Sequence, residues 1–118
     1  MRKPLLPTTI LSFLILFITA CGKNGSSLQP QLDCSTVMNK NFAADVNPIL
    51  QSTCNQQGCH DVASVNGPGP LTNYSQLFNA RAVVRVAIQS GLMPQNSTLT
   101  TAQKNAILCW IDSGAPNN

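Results

Sequence analysis

Apolar residues along this chain form one short continuous run and three spaced stripes. The run, Ile10 to Ile18 with only Ser12 interrupting it, spans nine residues, whereas crossing a hydrocarbon core takes about 20. With Arg2 and Lys3 ahead of it and Thr19 and Ala20 behind it, it reads as an export signal over residues 1–20 and not as a membrane-spanning helix. The first stripe is Phe42, Val46, Ile49 and Leu50, the spacing of one helical face, and it predicts a helix over 42–53. Pro48 allows two forms of that helix. It is either kinked and starts at Asn41, or capped by Asn47 with Pro48 in its first position, where a missing N–H costs nothing. The second stripe, Leu77, Phe78, Val84, Ala87 and Ile88, predicts a helix over 74–89 stopped by Gly91. The third, Ala102, Ala106, Ile107, Trp110 and Ile111, follows a Thr100–Gln103 capping box and ends at Gly114 and Pro116. Between the first two helices, Asn66-Gly67-Pro68-Gly69-Pro70 breaks any regular structure. No alternating strand pattern and no internal repeat is present, so the predicted class is all-α with substantial loops.

At 118 residues the chain holds one small domain at most. Its net charge of +3 comes from seven scattered Lys and Arg, not from a basic stripe that tracks a phosphate backbone, which argues against nucleic acid as a partner. Gly, Ser, Asn, Gln and Pro dominate Gly22 to Gln31, so residues 21–33 read as a flexible tether and 34–118 as the folded domain. Loss of a 20-residue signal leaves 98 residues, with five Lys or Arg against four Asp and a net charge of +1. Only 21 of those 98 residues are Leu, Ile, Val or Phe, close to the roughly one-fifth below which chains tend to be disordered. A core this lean calls for a staple, whether disulfides, a metal or a cofactor. The five cysteines are the place to look for it.

Cys54-Asn55-Gln56-Gln57-Gly58-Cys59-His60 carries the chemistry. Two cysteines followed at once by His form the arrangement for covalent haem attachment, in which both sulfurs add to vinyl groups and the imidazole ligates iron. Two thioethers fix the porphyrin edge, and the adjacent His is delivered to the metal. Four residues separate the cysteines where two is usual, and Gly58 lets the enlarged loop turn tightly. The heptapeptide alone also admits a Cys54–Cys59 disulfide, or a zinc site completed by His60 and a fourth group. Zinc is the weakest of these. The chain has no second His, and Cys34 and Cys109 would be ligands at unusual spacings.

A second feature favours haem. Thioether sulfur is a soft ligand that suits haem iron and raises its potential relative to bis-His ligation. Met93 sits in the loop Gly91-Leu92-Met93-Pro94, off any helical stripe, although an isolated Met more often fills a core. Met38, in a polar stretch ahead of the motif, is the lesser candidate.

Two resemblances follow. Ile18-Thr19-Ala20-Cys21 resembles the bacterial lipobox, which implies that Cys21 is acylated and becomes the mature N-terminus. The run Phe42 to His60, the Met93-Pro94 loop and the ending Ile107 to Asn118 resemble the small monohaem cytochrome c domains of bacterial lipoproteins, across residues 34–118. That resemblance implies a class I cytochrome c fold, with three main helices around one covalently attached haem c and the first and last helices crossing at one haem edge. Cys54 and Cys59 would be the thioether attachments, His60 the proximal iron ligand and Met93 the distal one. Trp110 would pack near the helix crossing, in the haem environment. A proline carbonyl, from Pro68 or Pro70, would accept the Nδ1–H of His60 and fix its tautomer. The same fold brings Cys34 near Cys109 and implies a disulfide between them, with two buried free thiols as the alternative.

The function implied is that of an electron carrier, not an enzyme. It would pass single electrons between redox partner proteins, alone or as a subunit of a larger redox complex. A lipid anchor would hold it at a membrane on the periplasmic side of the envelope, and Gly22 in place of an acidic residue after Cys21 points to the outer membrane. Two competing classes stand beside this one: a five-coordinate haem sensor or catalyst using His60 alone, and a haemless lipoprotein stapled by disulfides. Asp45, Asp61, Asp112, Arg81 and Arg85 read as a solvated face, with Arg81 and Arg85 also placed to meet an acidic partner or a haem propionate.

Overall fold

The computed structural model describes residues 31–118. The expected export segment, Cys21 and the tether as far as residue 30 lie outside the described residues. Three helical stretches and no strand occur among the described residues. None of these helices is long and apolar enough to cross a membrane.

The first helix is a composite. A π-helical turn Phe42–Val46 runs into a short α-helical piece Asn47–Ile49, α1, and then into a second π-helical turn Leu50–Cys54. Pro48 has no N–H to give to the helix ladder, and wider i→i+5 bonds take over on either side of it. Val46 donates to Asn41 at 3.1 Å, Asn47 donates to Phe42, and Asn55 donates to Leu50 at 2.8 Å. Val46 and Asn47 both have right-handed helical dihedrals. The helix therefore begins after Asn41 and passes through Pro48, with no new cap at Asn47.

Two regular helices follow. In α2, Tyr74–Ser90, the Asn73 side chain caps the start by accepting from the Gln76 N–H at 3.1 Å, and Gly91 terminates it. In α3, Thr101–Asp112, the expected capping box is formed: Thr100 Oγ1 accepts from the Gln103 N–H at 3.2 Å, and Gln103 Oε1 accepts from the Thr100 N–H at 2.9 Å. Satisfying the open N–H groups of the first turn in this way is typically worth about 1 kcal/mol per helix.

The core lies where the three helices meet. Val46 and Leu50 from the first helix, Leu77, Val84 and Ile88 from α2, and Ile107, Leu108 and Trp110 from α3 are all buried. Each such aliphatic side chain contributes roughly 1.5–3 kcal/mol by leaving water. Trp110 is fully buried between Phe42 and Tyr74, with ring centroids at 5.6 and 6.3 Å. Its Nε1–H donates to the Pro116 carbonyl at 2.8 Å, so the indole's one polar atom is satisfied inside the core.

Both ends of the domain are tied down. The carboxy-terminal tail folds back over the first helix, where Asn118 Oδ1 accepts from the Phe42 N–H at 2.8 Å and the Asn118 main-chain oxygen accepts from the Ala43 N–H at 2.8 Å. Cys34 is disulfide-bonded to the fully buried Cys109 of α3. Arg85 on α2 holds Asp112 on α3 in a two-pronged pair, Nε to Oδ1 at 2.6 Å and Nη2 to Oδ2 at 3.0 Å. The Arg81 guanidinium lies 4.0 Å over the Phe78 ring, and its Nη1 donates to the Phe78 carbonyl at 2.7 Å. Arg85 and Asp112 thus keep the solvent exposure expected of them while pairing with each other, and Arg81 is folded over Phe78.

Candidate functional site

The motif begins at the last residue of the first helix. Cys54 closes the second π-helical turn, and the chain then folds back on itself, with Gln56 N–H and His60 N–H both donating to the Cys54 carbonyl at 2.8 and 3.2 Å. Gly58 takes φ +78°, the left-handed conformation that the return requires. The two additional residues between the cysteines are thus absorbed in a turn that still sets His60 beside Cys54. Two side chains clamp the loop from outside: Ser64 Oγ donates to the Cys59 carbonyl at 2.5 Å, and Asn66 Nδ2 donates to the Gly58 and Cys59 carbonyls at 3.1 and 3.0 Å.

His60 is buried, at 6% exposure. Its Nδ1 lies 2.9 Å from the carbonyl oxygen of Gly69. A carbonyl only accepts, so Nδ1 carries the proton, and in the neutral ring the lone pair is on Nε2. This corrects the expectation that Pro68 or Pro70 supplies the acceptor. Gly69, between them, takes φ +95°, which proline cannot adopt, and its carbonyl faces the ring. Nε2 has no hydrogen-bond partner, yet no buried side-chain nitrogen or oxygen among the described residues lacks one. It therefore opens onto the cavity that His60 lines.

That cavity measures about 1040 Å³, at the top of the roughly 300–1,000 Å³ range of ligand pockets. Cys54, Cys59, His60 and Met93 all contribute to its wall. Met93 is half-buried against the core, on a loop tied back by its own N–H donating to the Ala87 carbonyl at 3.2 Å. Leu71 and the α2 residues Val83, Val84, Ala87 and Ile88 give the cavity an apolar side. Val83 is 56% exposed although it belongs to this wall, an apolar surface with no protein covering it.

Cys54 and Cys59 are both free thiols and both half-buried. Burial, reinforced by the neighbouring Cys59, pushes the Cys54 thiol up to about 11, so it stays protonated at neutral pH and is a poor thiolate nucleophile. The alternative Cys54–Cys59 disulfide is not formed. Zinc loses its remaining cysteine ligands, since Cys34 and Cys109 are consumed by their own bond.

The chemistry of this wall fits a covalently held haem. Two thiols, an imidazole nitrogen with its lone pair free, and a thioether sulfur meet one apolar-sided space, which is a haem iron's donor set with its means of attachment. Pro68 lines the cavity, whereas Pro70 and Trp110 do not. Trp110 packs instead where the first helix and α3 meet. Of the four α2 residues in this wall, Val84, Ala87 and Ile88 belong to the second apolar stripe of the sequence, whereas Val83 lies outside it.

No protein-family model, curated protein or solved structure matches the chain.

Proposed function

We propose that the protein is a monohaem c-type cytochrome of class I fold, an electron carrier rather than an enzyme, exported and lipid-anchored through Cys21 at the periplasmic side of a bacterial envelope. One observation carries this reading: Met93, far along the chain from the motif, lines the same cavity as Cys54, Cys59 and His60, and the four are chemically suited to one group. Cys54 and Cys59 would attach the haem c, His60 would hold iron through Nε2 and Met93 through its sulfur. One-electron exchange is what such a group supplies when bound. The chain's own part is orientation and exclusion of water. Gly69 fixes the His60 tautomer, Ala87 fixes the Met93 loop, and the α2 valines keep the enclosed side apolar.

Expression of the full chain in bacteria equipped for c-type cytochrome maturation tests the reading. Haem-dependent staining at the protein's position on a denaturing gel, and an intact mass increased by one haem, are expected, and both should vanish in Cys54→Ser/Cys59→Ser. A parent protein that matures without covalent haem sinks the proposal and leaves the disulfide-stapled lipoprotein standing.

A further inference from the structure

Polar residues of the cavity wall divide into two sets. On the motif side the amides are already engaged and the hydroxyls make only long contacts. Gln56 Nε2 donates to the Gln51 and Asn55 carbonyls at 2.8 and 3.1 Å, Asn66 is spent on the loop carbonyls, and the Ser52 and Thr53 hydroxyls lie 3.4 Å from each other. Gln95, Asn96 and Ser97, on the loop after Met93, line the same cavity and make no hydrogen bond to the described protein through side chain or main-chain N–H. Two amides, a hydroxyl and the adjoining N–H groups make this the donor-rich part of the wall. Among the described residues, no Lys, Arg or Asp contributes to the wall. Arg81 and Arg85, the cations of α2, are held by Phe78 and Asp112.

A haem brings two carboxylates into such a space, and an ionised carboxylate only accepts hydrogen bonds. With Cys54 and Cys59 attached at the vinyl groups, the acid-bearing half of a bound haem would fall against another part of the wall. We infer that Gln95, Asn96 and Ser97 form a charge-free carboxylate subsite that receives the haem propionates, an inference that rests on the haem reading above. Neutral donors hydrogen-bonded to a carboxylate favour its charged form. A propionate charge in turn stabilises oxidised iron, so the midpoint potential changes with pH where the propionates titrate.

The test is the pH profile of the midpoint potential, measured on the haem-loaded full chain. The variant Gln95→Ala/Asn96→Ala/Ser97→Ala should keep its covalent haem while the inflection of that profile moves upward by about half a pH unit or more. An unchanged profile overturns the inference and leaves the haem reading intact. So does a shift produced by Thr53→Ala but not by the triple variant. If the triple variant fails to mature, Asn96→Lys carries the test: a cation there should move the inflection downward, and no movement overturns the subsite. A parent protein without covalent haem overturns both readings.

Discussion

His60 Nδ1 and the main-chain oxygen of Gly69 meet at 2.9 Å, across nine residues of proline- and glycine-rich loop. Because the acceptor is a main-chain group, no side-chain deletion removes it, but the loop conformation that presents it is vulnerable. A Cβ at Gly69 would meet nothing within 4 Å, so its φ of +95° is the whole obstacle to a side chain there. Gly69→Ala should cost about 1–2 kcal/mol and shift the midpoint potential of the haem-loaded protein by loosening His60. Chemical denaturation and redox titration check the two effects separately. A destabilised protein with an unaltered potential would show that the bond has no hold on the iron.

Met93→Ala separates the electron carrier from the five-coordinate sensor. With sulfur as the distal ligand, the variant should lower the midpoint potential and bind exogenous ligands such as imidazole far more readily than the parent. If spectrum and potential are those of the parent, Met93 is core filler and His60 works alone.

The Cys34–Cys109 bond closes a loop of 75 residues, for which the chain-entropy model gives about 4 kcal/mol. Cys34→Ala/Cys109→Ala should lose most of that in urea denaturation, a large share of the stability of a domain this small. The parent treated with a reductant should fall by a similar amount, while a loss below about 1 kcal/mol would mean that the bridge is a bystander.

Asn118 acts as the amino-terminal cap of the first helix from the other end of the chain, since Asn41 makes no side-chain cap of its own. Asn118→Ala should lower stability by about 1 kcal/mol, and hydrogen exchange should quicken first at Phe42. Uniform quickening across all three helices would instead indicate a global effect.

Ser35 sets the titration of Asp33. Its hydroxyl and main-chain N–H donate to Asp33 Oδ1 at 2.7 and 2.9 Å and hold the carboxyl below its ordinary value. A depressed folded-state value means that the stabilisation is present above the unfolded-state pKa and is lost as pH falls through the folded one. Ser35→Ala should therefore raise the Asp33 pKa in an NMR titration and weaken the acid end of that dependence. An unmoved titration would show that the turn does not persist in solution.

Much of the helical framework was legible because it rests on local signals. The spacing of Phe42, Val46, Ile49 and Leu50, the Thr100–Gln103 box and the stop at Gly91 are each decided within a turn or two of chain. The π-helical turns around Pro48 were not, since a missing N–H can be resolved by a break, a kink or a wider ladder, and tertiary packing chooses. Cys54, Cys59 and His60 announced themselves by adjacency. Gly69's carbonyl, the Val83 wall and the free donors of Gln95 to Ser97 did not, because a main-chain acceptor has no residue type and an uncovered valine reads like any other. The Arg85–Asp112 pair, 27 residues apart, was likewise beyond any periodicity.

The disulfide also settles how the domain bears load. Everything from the first helix to the loop of Gln95 to Ser97 lies inside the ring closed by Cys34 and Cys109. A pull arriving from the amino-terminal side of Cys34 passes across the sulfur bridge into α3, whose Cys109 is anchored in the core beside Trp110. The turns that aim His60 and Met93 are mechanically in parallel with that strut, so a force applied ahead of Cys34 would leave the shape of the cavity largely unchanged.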